Sequence, residues 1–137
     1  PGQMKTEEGA RKLIPPTDRA IAALVGGLID RGLYQDVLVV AMGEFGRTPR
    51  MNANAGRDHW GDTFSVLFGC GAMKMGQVIG RSDHRGERVV DKPFDPQDVA
   101  ATIYHHLGIN AGEIKYYDRL NRPMPLIDRG QPIKELI

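Results

Sequence analysis

The sequence has few of the residues that would mark a specialised class of protein. Its 137 residues include one cysteine and 7% aromatic residues, and its 18 lysines and arginines are balanced by 17 acidic residues. The single cysteine, Cys70, excludes an intrachain disulfide framework and a cysteine-rich zinc site. The small net charge argues against a dedicated nucleic-acid binder, so no nucleic-acid partner is expected. Because the chain has one cysteine, any metal must be held by histidine and carboxylate ligands.

Long apolar runs are also missing. The longest, from Val37 to Met42, is far shorter than the roughly 20 residues that a membrane span requires, so no membrane span is expected. The 17 glycines and 9 prolines indicate many tight loops between short elements. The chain starts at Pro1 without an initiator methionine or a leader-like segment, so we expect a fragment of a longer protein.

Hydrophobic periodicity predicts an α/β organisation. Residues 1–16 are polar and end in two prolines, which favours an extended arm or linker. From Thr17, apolar residues recur every three or four positions as far as Gly32, which is typical of an amphipathic helix with a C-terminal glycine. The apolar run at residues 36–42 then predicts a strand buried on both faces of a parallel sheet.

Shorter elements are predicted in the second half of the chain. Residues 64–68 suggest another strand, and residues 78–80 and 88–90 suggest the arms of a hairpin around a polar turn. Asp95 followed by Pro96 predicts the start of a helix that ends at Gly108. Its predicted inward stripe consists of Val99, Ile103 and Leu107.

The long loop after the apolar strand is the candidate site. Residues 43–61 have no usable periodicity, and long irregular loops in compact domains are frequently functional. Glu44 would lie at the carboxyl end of a parallel strand, where open α/β sheets bind ligands. With Glu44 included, this stretch supplies two carboxylates, an imidazole and two guanidiniums, a mixture that suits a metal with an anionic substrate. The alternative is a structural clamp, in which Glu44 pairs with an arginine and His59 bonds to a carbonyl.

Several sequence motifs in this part of the chain resemble those of the DUF1501 family of sulfatase-like proteins. The resemblance rests on Met42 to Pro49 with Asn52, and on Gly56 to Trp60. It extends to residues 33–40, 69–71, 76–80, 98–104 and 121–123, in the order that the C-terminal part of the family would place them. On this resemblance, residues 17–137 form the C-terminal portion of a larger domain.

The resemblance implies the alkaline phosphatase and sulfatase superfamily. The implied fold is an α/β sandwich with a mostly parallel sheet flanked by helices, with divalent metals at the strand ends. It implies Glu44 and His59 as metal ligands, with Asp58 as a further ligand or a partner that orients the imidazole. Phe45 departs from the superfamily pattern, which has a histidine there. The implied anion-binding or loop-structuring residues are Arg47, Arg57 and Asn52.

The implied function is hydrolysis of sulfate or phosphate esters, with this segment contributing one side of the metal site. The metal would be Zn²⁺, Mn²⁺ or Ca²⁺, and the substrate a small-molecule or polysaccharide ester. The superfamily's nucleophile lies upstream, so no catalytic nucleophile is expected here, and the isolated segment should be inactive without the rest of its own chain. Two alternatives stay open, a non-catalytic binding or assembly protein and an independent small ligand-binding domain. Export from the cytoplasm is expected from the resemblance alone.

Other histidines and the cysteine have ordinary structural interpretations. Ser82-Asp83-His84 follows a glycine and an arginine rather than a buried strand, which favours a turn. His105 and His106 are adjacent on a predicted helix and point about 100° apart, so they are poorly placed to chelate one ion. Cys70 is expected to be a small buried residue and Trp60 an anchor for the core or the loop.

Overall fold

In the computed structural model, the backbone is described for residues 6–137 and the side chains for residues 7–137. The chain divides into two compact units, with the boundary between Lys92 and Pro93. The first unit contains the long helix and the candidate loop, and the second contains the shorter helix and the C-terminal segment.

The first helix, α1, spans Thr6–Asp30 and begins well before Thr17. Residues 6–16 are therefore helical and not the extended segment that Pro15 and Pro16 suggested, while residues 1–5 of that segment lie outside the described residues. Glu7 and Glu8 lie in the first turn, where the helix dipole favours negative charge. They pair with Arg11 and Lys12 one turn later, and such pairs support an exposed helix. The pairs support only the first turns of the helix, because each contributes about 0.2–0.5 kcal/mol against a cost of roughly 3 kcal/mol for a proline in a helix interior.

The end of α1 follows the prediction. Gly32 has a positive φ of 69°, a conformation that glycine adopts without strain. Its N–H donates to the Ile29 carbonyl at 3.0 Å, and the Leu33 N–H donates to the Leu28 carbonyl at 2.9 Å. Together these bonds form a Schellman motif, which satisfies carbonyls at the helix end.

The predicted parallel sheet is wrong. Strand β1 (Val39–Met42) pairs antiparallel with β4 (Val66–Gly69), and the sheet has two strands. Parallel neighbours require a crossover connection, usually a helix, whereas the segment between these strands contains a hairpin and returns directly. The prediction failed because an apolar run indicates a strand but does not show whether the neighbouring strand runs parallel or antiparallel to it. In this structure Met42 and Leu67 are half exposed, so the strands are not buried on both faces.

The remaining strands also form antiparallel pairs, so the mostly parallel sandwich of the alkaline phosphatase and sulfatase type is contradicted throughout the described residues. The pairs are β2 (Gly46–Arg47) with β3 (His59–Trp60), β5 (Arg81–Ser82) with β6 (Val89–Asp91), and β7 (Lys115–Tyr117) with β8 (Pro123–Pro125). The hairpin expected around the turn at residues 82–86 is confirmed, with its first strand at Arg81–Ser82. Over residues 6–137 the architecture is a small mixed α/β one with two helices.

The second unit is built around α2 (Pro96–His106). Asp95 caps the helix in a capping box with Asp98, as the Asp-Pro start predicted. Val99 is buried and Leu107 is 61% exposed, so the predicted inward stripe ends before its last residue. The helix packs instead with residues from the C-terminal segment, and the small core contains Val99, Ala101, Thr102, Ala111, Ile133 and Leu136.

Side chains of α2 hold the C-terminal segment by accepting alternate backbone N–H groups. The Thr102 hydroxyl accepts from Ile133 N–H at 2.9 Å and donates to the Asp98 carbonyl at 2.7 Å. Asp98 Oδ1 accepts from Gln131 N–H at 2.9 Å, and Gln97 Oε1 accepts from Arg129 N–H at 3.0 Å. The alternation fits an extended segment, in which every second residue faces the same side.

In the first unit, Cys70 is fully buried, as expected for a small residue, and its thiol donates to the Gln35 carbonyl. Neither α1 nor α2 combines the length and the apolar character needed to cross a bilayer.

Candidate functional site

The candidate loop is the connection of a short hairpin. Strands β2 and β3 place Gly46 opposite Trp60 and Arg47 opposite His59. Thr48 N–H donates to the Asp58 carbonyl at 3.0 Å, which extends the pairing toward the loop. A Cβ atom at position 46 would overlap the Thr63 carbonyl, so this close approach requires glycine.

Asn52 organises the tip of this loop. Its Oδ1 accepts the N–H groups of Asn54 and Gly56, both at 3.0 Å, and its backbone N–H donates to the Gly56 carbonyl at 2.8 Å. Ala55 adopts a positive φ of 55° between these bonds. This hydrogen bonding stabilises the turn at the tip of the loop, because the asparagine side chain here replaces the backbone pairing that a strand would provide.

The same asparagine also holds the candidate carboxylate. Asn52 Nδ2 donates to Asp58 Oδ1 at 2.9 Å, and Asp58 N–H donates to the Thr48 hydroxyl at 3.0 Å. Asp58 is exposed, and its second carboxylate oxygen has no partner among residues 7–137. One oxygen of Asp58 is therefore fixed, while the other faces solvent and is available to a ligand.

His59 stacks on Phe45. The two ring centroids lie 3.8 Å apart with the planes inclined by 30°. The Arg47 guanidinium carbon lies 5.4 Å from the centroid of the same phenyl ring, within the range of a cation–π contact. Phe45, at the position where the superfamily pattern has a histidine, therefore contacts two of the candidate site residues. Within the described side chains no hydrogen bond engages the imidazole of His59, so its nitrogens are accessible.

The two candidate arginines have different surroundings. The half-buried Arg57 donates through Nη1 to the Thr48 carbonyl at 2.7 Å and to the Pro49 carbonyl. Arg47 is exposed and makes one long bond, from Nη1 to the Arg57 carbonyl at 3.3 Å. Arg57 is thus committed to holding the loop, whereas most of the N–H groups of Arg47 are free to bind an anion.

Glu44 follows β1 by two residues and is exposed. It has neither a hydrogen bond nor an ion pair to any other residue in the range 7–137, so the proposed Glu44–arginine clamp is absent there. Within the part of the chain that the structure describes, no three histidine, cysteine or acidic side chains converge closely enough to hold a metal ion. The candidate ligands Glu44, Asp58 and His59 therefore do not form a complete metal site by themselves.

Other residues singled out from the sequence have structural surroundings. The indole N–H of half-buried Trp60 donates to the Glu87 carbonyl at 2.9 Å and anchors β3 to the neighbouring turn. Asp83 accepts the N–H groups of Arg85 and Glu87 within that turn, so the expected turn begins at Asp83, directly after Ser82 at the end of β5. His105 is exposed and His106 is half buried at the end of α2.

The family was identified by comparison with known proteins. A family model described as "Protein of unknown function (DUF1501)" matches residues 4–137. The chain belongs to this family. Searches of curated proteins and of solved structures found no match. The family resemblance inferred from residues 42–60 and the later strings is confirmed, and it covers almost the whole chain.

Most of the contacts that order this DUF1501 loop were not predicted. Thr48 and Phe45 were part of the recognised string, yet neither was expected to contact Asp58 or His59. The spacing alone contains a partial signal: a threonine and an asparagine precede Asp58 in a glycine-rich loop, and both types commonly hydrogen-bond to nearby backbone. The stacking of Phe45 on His59 depends on the register of β2 and β3, which no local pattern specifies.

Proposed function

We propose that this DUF1501 segment contributes one side of the metal site of a hydrolase that acts on sulfate or phosphate esters. On this proposal the family is related to the alkaline phosphatase and sulfatase superfamily through its site residues. The observation that carries the proposal is the pair Asp58 and His59, at the base of an ordered loop. One carboxylate oxygen is fixed by Asn52, and the other oxygen and the imidazole nitrogens have no partner in the range 7–137.

The donor chemistry suits a hard or borderline divalent ion, because carboxylate oxygen and imidazole nitrogen are ligands of Zn²⁺ and Mn²⁺. The described residues supply too few ligands, since no three converge. Further ligands must therefore come from outside the described residues.

The residues of this chain would bind and orient the ester. Exposed Arg47 lies opposite His59 in the β2–β3 register, with most of its N–H groups free, so a sulfate or phosphate group would receive charge-assisted hydrogen bonds there. Arg57 and Asn52 hold the loop that presents Asp58. Arg47 and His59 thus share one face of the hairpin, where an ester oxyanion would lie next to the imidazole.

A second candidate function is non-catalytic binding or assembly. It is favoured by Phe45, an apolar side chain that stacks on the His59 ring and also contacts the Arg47 guanidinium. In that case the hairpin would bind an anionic group with Arg47 and need no metal.

Metal stoichiometry separates the two candidates. We expect the natural polypeptide that contains this segment, after equilibrium dialysis against Zn²⁺ or Mn²⁺, to retain the ion, and His59→Ala and Asp58→Asn each to lower its occupancy. His84→Ala is the matched control, because His84 is also exposed but lies in the turn organised by Asp83. Equal occupancy in all variants, or no bound ion in the parent protein, would contradict the hydrolase proposal and leave the binding function.

A further inference from the structure

The hairpin formed by residues 114–126 exposes an unusual number of large apolar side chains. All three residues of β7 are exposed. Leu120, in the turn, is 73% exposed, and Tyr117 is 65% exposed. The other exposed apolar or aromatic residues of this hairpin are Ile114, Tyr116 and Met124. Single exposed apolar residues are ordinary, but five within one hairpin indicate a surface that contacts something.

The turn of this hairpin is held in a defined shape. Asp118 accepts the N–H groups of Leu120 and Arg122, both at 2.9 Å, and the Arg122 guanidinium at 2.7 Å. Its own N–H donates to the Arg122 carbonyl at 3.1 Å, and Asn121 closes the turn with a φ of 57°. Leu120 is therefore presented by an ordered turn, which reduces the entropy lost when it is buried against another surface.

The charge on the hairpin is positive. Its acidic residue, Asp118, is paired with Arg122. Lys115 and Arg119 are exposed, and neither has an ion pair with any residue in the range 7–137. Two uncompensated cations therefore accompany the apolar residues, which favours a negatively charged surface as the partner.

Both faces of the hairpin are apolar, and this decides between kinds of partner. Tyr116 pairs with Met124, and Tyr117 pairs with Pro123. Because successive residues of a strand point to opposite sides, these two pairs lie on opposite faces. A flat protein surface would cover one face and leave the other in water, whereas a lipid interface surrounds both.

We propose that the hairpin of residues 114–126 docks on an anionic lipid bilayer, with Leu120 at the acyl boundary and Tyr116 and Tyr117 at the level of the headgroups. Tyrosine suits this depth because its ring is apolar and its hydroxyl stays hydrated. Lys115 and Arg119 would lie next to the lipid phosphates and add electrostatic attraction. One short hairpin supports reversible, salt-sensitive binding and not permanent anchoring.

Vesicle sedimentation tests this proposal. The chain is mixed with vesicles of phosphatidylcholine alone or of phosphatidylcholine with phosphatidylserine, and the bound fraction is measured at low and high salt. We expect binding to the phosphatidylserine vesicles that weakens with salt. Leu120→Asp should lower the apparent affinity about tenfold or more, as loss of one buried leucine predicts. Replacing Lys115 and Arg119 with glutamine should remove the preference for phosphatidylserine.

Val78→Asp is the control, because Val78 is 96% exposed and lies outside the hairpin. It should bind vesicles like the parent chain, and circular dichroism would establish that each variant is folded. The proposal is overturned if neither vesicle is bound, or if Leu120→Asp and Val78→Asp bind equally. It is also overturned if Leu120→Asp instead abolishes a concentration-dependent dimer, since the hairpin would then contact a second copy. None of these results depends on metal binding at His59.

Discussion

The side chains of the candidate loop have two different roles: some hold the loop's conformation, and others are free to bind a ligand. Asn52 and Arg57 use their side chains within the loop, whereas Glu44, Arg47 and His59 make few polar contacts or none among the described residues. This division separates two roles that the sequence left open for both arginines. Residue type alone did not distinguish them, because guanidinium groups serve equally in loop clamps and in anion sites.

Substituting each arginine tests that division. Arg57→Gln should destabilise the folded chain by about 1–2 kcal/mol, because hydrogen bonds to two loop carbonyls are lost in a half-buried position. Arg47→Gln should change the free energy of unfolding by no more than about 0.5 kcal/mol, since Arg47 is exposed and makes one long bond. Urea denaturation of the two variants and the parent measures both effects. Equal destabilisation would show that Arg47 also holds the loop.

The carboxylate of Asp118 should make stability depend on pH. The N–H group of Arg122, followed by its guanidinium, lowers the pKa of Asp118 below its ordinary value of 3.8. A lowered pKa in the folded state contributes stability that is present above the unfolded pKa and is lost as the pH falls through the folded pKa. The advantage of the parent chain over Asp118→Asn should therefore be present at about pH 7 and smaller at about pH 3.

Denaturant titrations of the parent and Asp118→Asn at both pH values measure this difference in the free energy of unfolding. Asp83 behaves similarly, because the Glu87 N–H group is the main cause that lowers its pKa, so Asp118→Asn should leave part of the acid sensitivity in place. A difference between parent and variant that is independent of pH would contradict the assignment.

At the level of secondary structure elements, the positions with strong local signals were predicted correctly. The Asp-Pro start of α2 and Gly32 after α1 lie where predicted, because capping is decided by residues next to one another. Pairing was not predictable in this way. Residues 36–42 are apolar enough for a buried parallel strand, yet β1 pairs antiparallel with β4, and only the path of the connecting segment decides that.

The start of α1 was predicted wrongly for a different reason. Pro15 and Pro16 normally disfavour a helix interior, and they led to the prediction of an extended segment. The i,i+4 pairs Glu7–Arg11 and Glu8–Lys12 lie before them, in the part of the helix that begins at Thr6. Proline lowers the stability of a helix without excluding one, so the local pattern did not show that α1 continues through residues 15 and 16.

The connection between α2 and the C-terminal segment depends on one hydroxyl. Thr102 is fully buried, and its Oγ accepts from Ile133 N–H while donating to the Asp98 carbonyl. Thr102→Val should destabilise the fold by about 1–3 kcal/mol, because Ile133 N–H stays buried without an acceptor. Thr102→Ser keeps the hydroxyl and should lose less. Thermal unfolding of the two variants compares them, and a smaller loss in Thr102→Val than in Thr102→Ser would show that the methyl group, and not the hydrogen bond, matters.

For the whole molecule, the family assignment was more predictable than the architecture. The strings of residues that identify DUF1501 are local and ordered, and the family model matches residues 4–137. The sandwich inferred from the superfamily was wrong for the described residues, which contain antiparallel pairs of strands. The contacts of the candidate site do not depend on the predicted sandwich, because they all lie within residues 44–60. Those contacts depend on the β2–β3 hairpin and not on the direction of a larger sheet.

The proposed ester hydrolysis depends on Asp58 and His59 as metal ligands. The most direct measurement is kcat/KM for an aryl sulfate and an aryl phosphate, using the natural polypeptide that contains this segment, supplied with Zn²⁺ or Mn²⁺. We predict hydrolysis of at least one ester, lowered about a hundredfold by His59→Ala and unchanged by His84→Ala. Hydrolysis that His59→Ala leaves intact, or no hydrolysis of either ester by the metal-loaded protein, would contradict the account.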